Sequence, residues 1–343
     1  MAAVEWTDEL AIDAFIDYLC MNRGRSGRTA EVYRLALARL KEFLGPERSI
    51  LTADGSELEA FAGLWLHRKG VVANSRKPYI SGVRMFFRWA KARGALPAGN
   101  PADELEYPKA GRRLPRAMSL ASAERLMWAP DLSSFLGIRD ASIMALLMGC
   151  GLRVSGVVGL NEGDLQSVQV DGQVRMFLVV LEKGNRMRRM PVPREAEALL
   201  RVYLGHEELA PIDRSTVGKH GQPDKVLFVN TKHPVLPEHE HVGEARRLTR
   251  QGIHDMIQRH GLRVGVPAEQ LHPHAMRHLF GTELAEEDVP TLTTQDLMGH
   301  VDPKSTAIYT SLSMRKKMRT VDQHAPLAKM RTPVGEFLKR MPR

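Results

Sequence analysis

Residues 168–193 read VQVDGQVRMFLVVLEKGNRMRRMPVP. Apolar and β-branched runs flank two turn-forming clusters, Asp171-Gly172 and Lys183-Gly184-Asn185. Run, tight turn, run, tight turn, run is the pattern of a three-stranded antiparallel meander. The sequence around it has a different period. Upstream, residues 138–149, IRDASIMALLMG, form a strongly apolar helical stretch that Gly149 and Gly151 end. Ser119 is placed to open the helix before it. Downstream, helices are expected at 194–204, 244–261, 273–286, 291–299 and 303–319. Between them, residues 205–243 are polar and rich in Pro, Gly and His, with one short strand candidate, Val226–Val229. The fold class is therefore mainly α with a small antiparallel β-sheet (α+β).

The first hundred residues are helical throughout. Leu10, Ala14, Phe15, Tyr18 and Leu19 recur at helical spacing between Glu9 and Met21, and Val32, Leu35, Ala36, Leu40, Phe43 and Leu44 form a second stripe. Gly45-Pro46 ends that helix. A third carries Leu58, Phe61, Ala62, Trp65 and Leu66. A fourth, expected to start after Asn74 as its cap, buries Ile80, Val83, Phe86, Phe87 and Ala90. Its polar side presents Arg84, Arg88 and Lys91, with Arg76 and Lys77 at its start, a row suited to tracking a phosphate backbone. Residues 94–118 hold four prolines and three glycines and have no period, which marks a boundary. The basic patch around Arg112 and Arg113 lies inside it. The expected organisation is a helical domain at 1–108, a linker at 109–118, a second domain at 119–325 and a tail at 326–343.

With 343 residues the chain is long enough for two cored domains. Apolar residues make up 43% and charged residues 26%, which excludes general disorder. No apolar run reaches membrane-spanning length, and MAAVEWTDEL lacks a basic start, so neither a membrane span nor a signal peptide is expected. Two distant cysteines, Cys20 and Cys150, exclude a disulfide framework and fit a reducing cytoplasm. Lys plus Arg number 49 against 40 Asp plus Glu, a net charge of +9. That balance favours a polyanionic partner such as nucleic acid.

A set of six residues then suggests chemistry. Arg153 stands in GCGLRVSG, Lys183 in LEKGNRMRRMPVP, His274 and Arg277 in HPHAMRH, His300 in LMGH and Tyr309 in STAIYT. Pro273 suits a first helical turn, so His274 and Arg277 share one helix face. If the six converge, two guanidiniums can hold the non-bridging oxygens of a phosphodiester. A phenol can attack phosphorus if a base removes its proton, since its ordinary pKa is about 10. A lysine can protonate a leaving sugar oxygen. No carboxylate pair is placed for Mg²⁺, so neither metal nor ATP is expected as a cofactor. Each residue alone is ordinary; the ordered set is specific.

In these residues the chain resembles the tyrosine recombinase (phage integrase) family. The resemblance covers roughly residues 10–325 and reaches the DQHAP segment at 322–326, which looks like the Xer subgroup. It implies an N-terminal core-binding, SAM-like domain and a catalytic domain forming a C-shaped clamp on duplex DNA. It implies four protomers exchanging strands through a Holliday junction, free protein being monomeric. Tyr309 would form a 3′-phosphotyrosyl bond, with Arg153, Arg277 and His300 on the phosphate. Lys183 would serve as general acid and His274 as acceptor of the tyrosine proton. A directionality factor or second recombinase are possible partners, and the expected location is the bacterial nucleoid, from a chromosomal, phage or mobile-element gene. Family members often carry an acid three residues after the first arginine, where this chain has Gly156. The short stretch before the first helix leads to an expectation of a compact enzyme without an arm-binding domain. Two other readings stand beside this one: a type IB topoisomerase or hairpin resolvase using the same bond, and a DNA-binding regulator with impaired catalysis.

The remaining signals are plainer. His233, His239 and His241 lack metal-ligand spacing and are read as a polar loop. His272 and His278 flank the proposed pair and are given structural roles, and Cys150 is read as a small buried residue. In the tail, Pro333 opens a short apolar strip with Val334, Phe337, Leu338 and Met341, expected to pack on a neighbouring protomer.

Overall fold

The computed structural model describes residues 6–96, 99–109, 118–182, 186–233, 235–287, 289–299 and 318–338. The chain divides into two compact units, Met1–Arg113 and Leu114–Arg343.

In the first unit, α1 (Asp8–Asp17) starts where the Thr7 hydroxyl accepts the Leu10 N–H, and runs on as a π-turn, Tyr18–Asn22. The Ser26 hydroxyl caps α2 (Gly27–Leu44), and Gly45, at φ +87°, ends it. An Asp54/Glu57 capping box opens α3 (Gly55–Ala60). A second π-turn, Phe61–Trp65, leads into the single turn α4 (Leu66–Arg68), and α5 spans Ala73–Ala92. The expected third helix is thus α-helical only in part. The Phe61 and Trp65 rings meet at 5.6 Å and Phe43 packs 5.9 Å from each, a cluster on the wider turn. Asn74 does not cap α5. The helix begins one residue earlier, at Ala73, and the Val72 carbonyl takes the Ser75 and Arg76 N–H groups. At the α2–α5 contact, a Cβ on Gly82 would lie 3.1–3.2 Å from Tyr33 and Ala36, so the backbone approach is close. Phe15, Leu37, Leu40, Phe61, Phe86 and Phe87 are fully buried. Each of these large apolar side chains contributes about 1.5–3 kcal/mol by its burial.

In the second unit, Ser119 and Ser134 cap α6 (Leu120–Met127) and α7 (Phe135–Gly149). α7 is buried on nearly every face, which is why its sequence is apolar without a polar stripe. A short α8 (Val154–Val158) leads to β1 (Leu165–Val170), β2 (Gln173–Glu182) and β3 (Arg186–Pro191), antiparallel in that order. Val170 pairs with Gln173 across Asp171 and Gly172, at φ +50° and +78°, the backbone of a two-residue hairpin turn. Then come α9 (Arg194–Leu204), a hairpin of β4 (Ser215–Val217) and β5 (Pro223–Lys225), α10 (Arg250–Arg263), α11 (Pro273–Glu286) and α12 (Thr291–Met298).

The meander forms as its turn residues demand. Val226–Val229 does not become a strand: it makes isolated bridges, Val226 to Asn161 and Val229 to Arg247. The β4–β5 hairpin beside it is too short to carry a period. The helix expected at 244–261 begins only at Arg250, because the Thr249 hydroxyl accepts the Gly252 N–H and fixes the start there; Gly243–Arg246 is a 3₁₀ turn. Most of the helix expected at 303–319 lies outside the described residues.

The tail seats on its own unit in this single chain. Asp322 takes both terminal nitrogens of buried Arg175 on β2, at 2.5 and 2.8 Å. Leu327 is buried against α7, Lys329 pairs with Glu283 and Glu287, and the Thr332 hydroxyl donates to Glu195. Among the described residues no helix is long and apolar enough to cross a membrane.

Candidate functional site

The site is built from the loop after α7 and the N-terminal turn of α11. Gly151 turns the chain at φ +57°, and a Cβ there would overlap the buried Phe280 ring. Two residues on, Arg153 occupies the N-cap position of α8 with an extended backbone. α11 opens at Pro273, preceded by His272, whose Nδ1 accepts the Ala275 N–H at 3.0 Å. His272 is thus a helix cap, as a structural reading predicts.

One turn places His274 and Arg277 on one face with contrasting exposure. His274 faces solvent, whereas Arg277 is 5% exposed. Arg277 donates from Nη1 to the Gly151 carbonyl and from Nη2 to the Met298 carbonyl. It therefore ties α11 to the turn before Arg153 and to the last turn of α12. A guanidinium carries five N–H donors, so two carbonyls do not exhaust it.

The Arg277 bond to Gly151 brings the helix turn of His274 and Arg277 to the loop that carries Arg153. His274 is held below the ordinary histidine pKa, first by desolvation and then by the charges of His278, Arg277 and Arg153. Both arginines therefore act on this imidazole, and it is neutral near pH 7, ready to accept a proton. Lys183, His300 and Tyr309 lie outside the described residues. Their flanks are described: Glu182 pairs with Arg186 at the end of the β2–β3 ladder, and Gly299, at φ +60°, follows α12. Gly156 lies on α8, where a Cβ would stand 3.2 Å from Val180 Cγ1, so the place of the missing acid is narrow.

The basic row on α5 divides. Arg88 and Lys91 are exposed and Lys77 is half-buried. Arg76 and Arg84 do not project from the helix as the stripe suggested. Arg76 donates to the Gly63 carbonyl at 3.0 Å. Arg84 donates to the Leu105 carbonyl at 2.5 Å and lies 5.6 Å from the Tyr107 ring centre. Both long side chains satisfy carbonyls of irregular segments, which a helical-wheel pattern does not register. Arg112 and Arg113 lie outside the described residues.

His233 and His241 make local contacts in their loop. His233 Nδ1 accepts the Val235 and Leu236 N–H groups, and His241 Nδ1 lies 3.0 Å from the donor-only Arg246 guanidinium. These contacts are served by the tautomer that carries its proton on Nε2. Among the described residues no group of three or more His, Cys, Asp or Glu is arranged to hold a metal. Cys150 is buried and its thiol is pushed up to about 12 by desolvation, which makes it inert.

Sequence reasoning missed one group, Arg188 on β3. It donates to the Leu297 carbonyl at the end of α12. Its only trace in the sequence is one arginine among three in RMRRMP.

Comparison with known proteins agrees with this layout. The family model described as "Phage integrase family" matches residues 116–316, and "Phage integrase, N-terminal SAM-like domain" matches residues 12–94. Tyrosine recombinase XerD of Pseudomonas putida is 32% identical over 321 residues, covering 93% of this chain and 98% of that protein. Among solved structures, the XerH site-specific recombinase bound to a palindromic difH substrate, a post-cleavage complex, superposes with a TM-score of 0.67. It is 17% identical, over 93% of this chain and 97% of that one. A lambda integrase tetramer bound to a Holliday junction gives a TM-score of 0.60 at 18% identity, over 89% of this chain and 80% of that one. At these identities the two structures establish the fold.

Proposed function

The chain belongs to the phage integrase family of tyrosine recombinases, enzymes that cleave and rejoin DNA, and from that membership we propose how its residues divide the work. Arg153 and Arg277 hold the non-bridging oxygens of the scissile phosphate, and His300 adds a donor there. Two guanidiniums on one phosphate offset the charge that grows on those oxygens as phosphorus becomes five-coordinate. Tyr309 Oη attacks phosphorus while neutral His274 takes the phenolic proton. The bond from phosphorus to the 5′-oxygen breaks, and Lys183 gives that oxygen a proton. The product is a 3′-phosphotyrosyl bond and a 5′-hydroxyl. In the second half the 5′-hydroxyl of a partner strand attacks, tyrosine leaves, and the protons return. The phosphodiester energy is kept in the phosphotyrosine, so the cycle needs no metal and no ATP.

The observation that carries this reading is the Arg277 bond to Gly151, which fastens the helix turn of His274 and Arg277 to the loop of Arg153; the lowered pKa of His274 agrees with it. Duplex DNA is the substrate, met in part through Lys77, Arg88 and Lys91 and through Arg112 and Arg113. A tetramer on two sites performs the exchange, by analogy with the lambda integrase tetramer on its junction. The work is done at the nucleoid, as integration, excision or dimer resolution.

Covalent trapping tests it. Protein is incubated with a library of nicked suicide duplexes drawn from its genomic neighbourhood, without metal or ATP. The expected result is a denaturation-resistant protein–DNA adduct from the wild type and none from Tyr309→Phe. Tight binding without an adduct would favour the regulatory reading instead. Relaxation of supercoiled DNA by single protomers would favour the topoisomerase reading.

A further inference from the structure

We propose that Arg188 is a positioning residue that locks the last turn of α12 onto β3, setting the segment that leads to His300 in step with the strand pair that ends at Lys183. The inference rests on the recombinase reading above and names a residue that reading does not use.

The last carbonyls of a helix have no partner within it and lie at the negative end of its dipole. In α12 two successive ones, Leu297 and Met298, are each taken by a guanidinium from a different element. Arg188 on β3 donates to Leu297, with the Asp296 carbonyl at 3.5 Å, and Arg277 on α11 donates to Met298. Gly299 then turns the chain at φ +60°, its N–H returning to the Asp296 carbonyl at 3.1 Å, and His300 is the next residue. At its other end, Arg188 sits opposite Val180 in the β2–β3 ladder, two pairs before Glu182–Arg186, and Lys183 follows Glu182 in the sequence. The Arg277 Nη1 bond to Gly151 extends the series to the Arg153 loop. Three segments that carry proposed catalytic residues are thus fastened through one helix end. Arg188 ties that end to the sheet. A fold-stabilising bond could have reached any carbonyl; this one reaches the turn three residues before His300.

The test uses the full chain and the nicked duplex that the wild type traps. Single-turnover adduct formation and DNA affinity are measured for Arg188→Ala, Arg188→Lys, His300→Ala and the double variant Arg188→Ala/His300→Ala. Misplacing a reacting group by about 1 Å costs roughly a hundredfold, so Arg188→Ala should cleave about 10- to 100-fold more slowly. Its DNA affinity should stay within about twofold, because the guanidinium faces a protein carbonyl. Arg188→Lys should recover part of the rate, since an ammonium can still donate to Leu297. The double variant should be no slower than His300→Ala, because both changes remove the same contribution. A merely structural role would not produce that non-additivity. Wild-type cleavage by Arg188→Ala, multiplying losses in the double variant, or a rate loss explained by weaker DNA binding would overturn the inference alone. Absence of any adduct from the wild type would overturn the recombinase reading and the inference with it. If Arg188→Ala unfolds, Arg188→Lys with and without His300→Ala carries the same comparison.

Discussion

Replacing Gly151 with alanine tests the site at its narrowest point. Gly151 has φ +57°, a region that costs an L-residue about 1–2 kcal/mol. The added methyl would also overlap Phe280, whose ring is fully buried and has no solvent side to turn toward. Overpacking of that kind costs about 1–3 kcal/mol more. The total is about 2–5 kcal/mol. Strain at this point does not stay local, because the Gly151 carbonyl accepts from Arg277 and Arg153 is two residues away. A shift of about 1 Å in the loop should slow adduct formation roughly a hundredfold. Gly172→Ala is the matched control: its φ is +78°, but nothing lies within 4 Å of the added methyl. That variant should lose only the conformational part, about 1–2 kcal/mol, and keep its cleavage rate. Urea unfolding and single-turnover trapping are run on both. Equal destabilisation of the two variants, or full cleavage by Gly151→Ala, would refute the reasoning.

Other outcomes follow from the same structure. An NMR titration should find His274 below its ordinary pKa of about 6.5, and in Arg153→Ala the value should rise toward it. With a depressed folded pKa, this histidine's contribution to stability is present above the unfolded pKa and lost as pH falls from there through the folded one. His274→Gln should remove that acid-side loss in a denaturant series against pH. Arg88→Ala and Lys91→Ala should each weaken DNA binding and lower the salt slope by about 1, with unfolding unchanged. Arg84→Ala should instead destabilise the first unit by about 1–3 kcal/mol, seen in its urea midpoint, since the Leu105 carbonyl loses a charged donor. Asp322→Ala leaves Arg175 buried with Glu197, 3.8 Å from its Nε, as its remaining opposite charge among the described residues. The second unit should lose about 3 kcal/mol, measured by calorimetry.

What was legible in the sequence is what repeats locally. A helix face shows itself every three to four residues, so α2, α5, α9 and α11 could be read directly. The Asp171-Gly172 turn could be read because only special residues suit its backbone. The candidate site was legible for a different reason: its members are chemically distinctive and their order matches a known family. The ties between elements were hidden. Arg188 to Leu297 spans 109 residues and Arg277 to Gly151 spans 126, and in each the acceptor is a backbone carbonyl that any residue type carries. Arg76 and Arg84 show the same limit, since each donates to a carbonyl of its own unit. A polar stripe cannot distinguish an arginine facing phosphate from one folded back onto its own chain.

That ambiguity has a physical basis, and it bears on how the site works. The catalytic unit fastens its loops with guanidiniums on carbonyls. Helix ends offer unsatisfied carbonyls there, as the last turn of α12 does to Arg188 and Arg277. The same groups give the site a positive potential before any substrate arrives. Clustered cations repel one another, and carbonyl dipoles offset part of that repulsion at a cost lower than burying carboxylates, which would compete with phosphate. The arrangement also keeps His274 neutral, the form that the base proposed above requires. A phosphodiester entering this field meets donors already oriented, and the reorganisation that water would require is avoided. Gly156 leaves the place of the usual acid empty, while carbonyls hold Arg277 and the turn before Arg153.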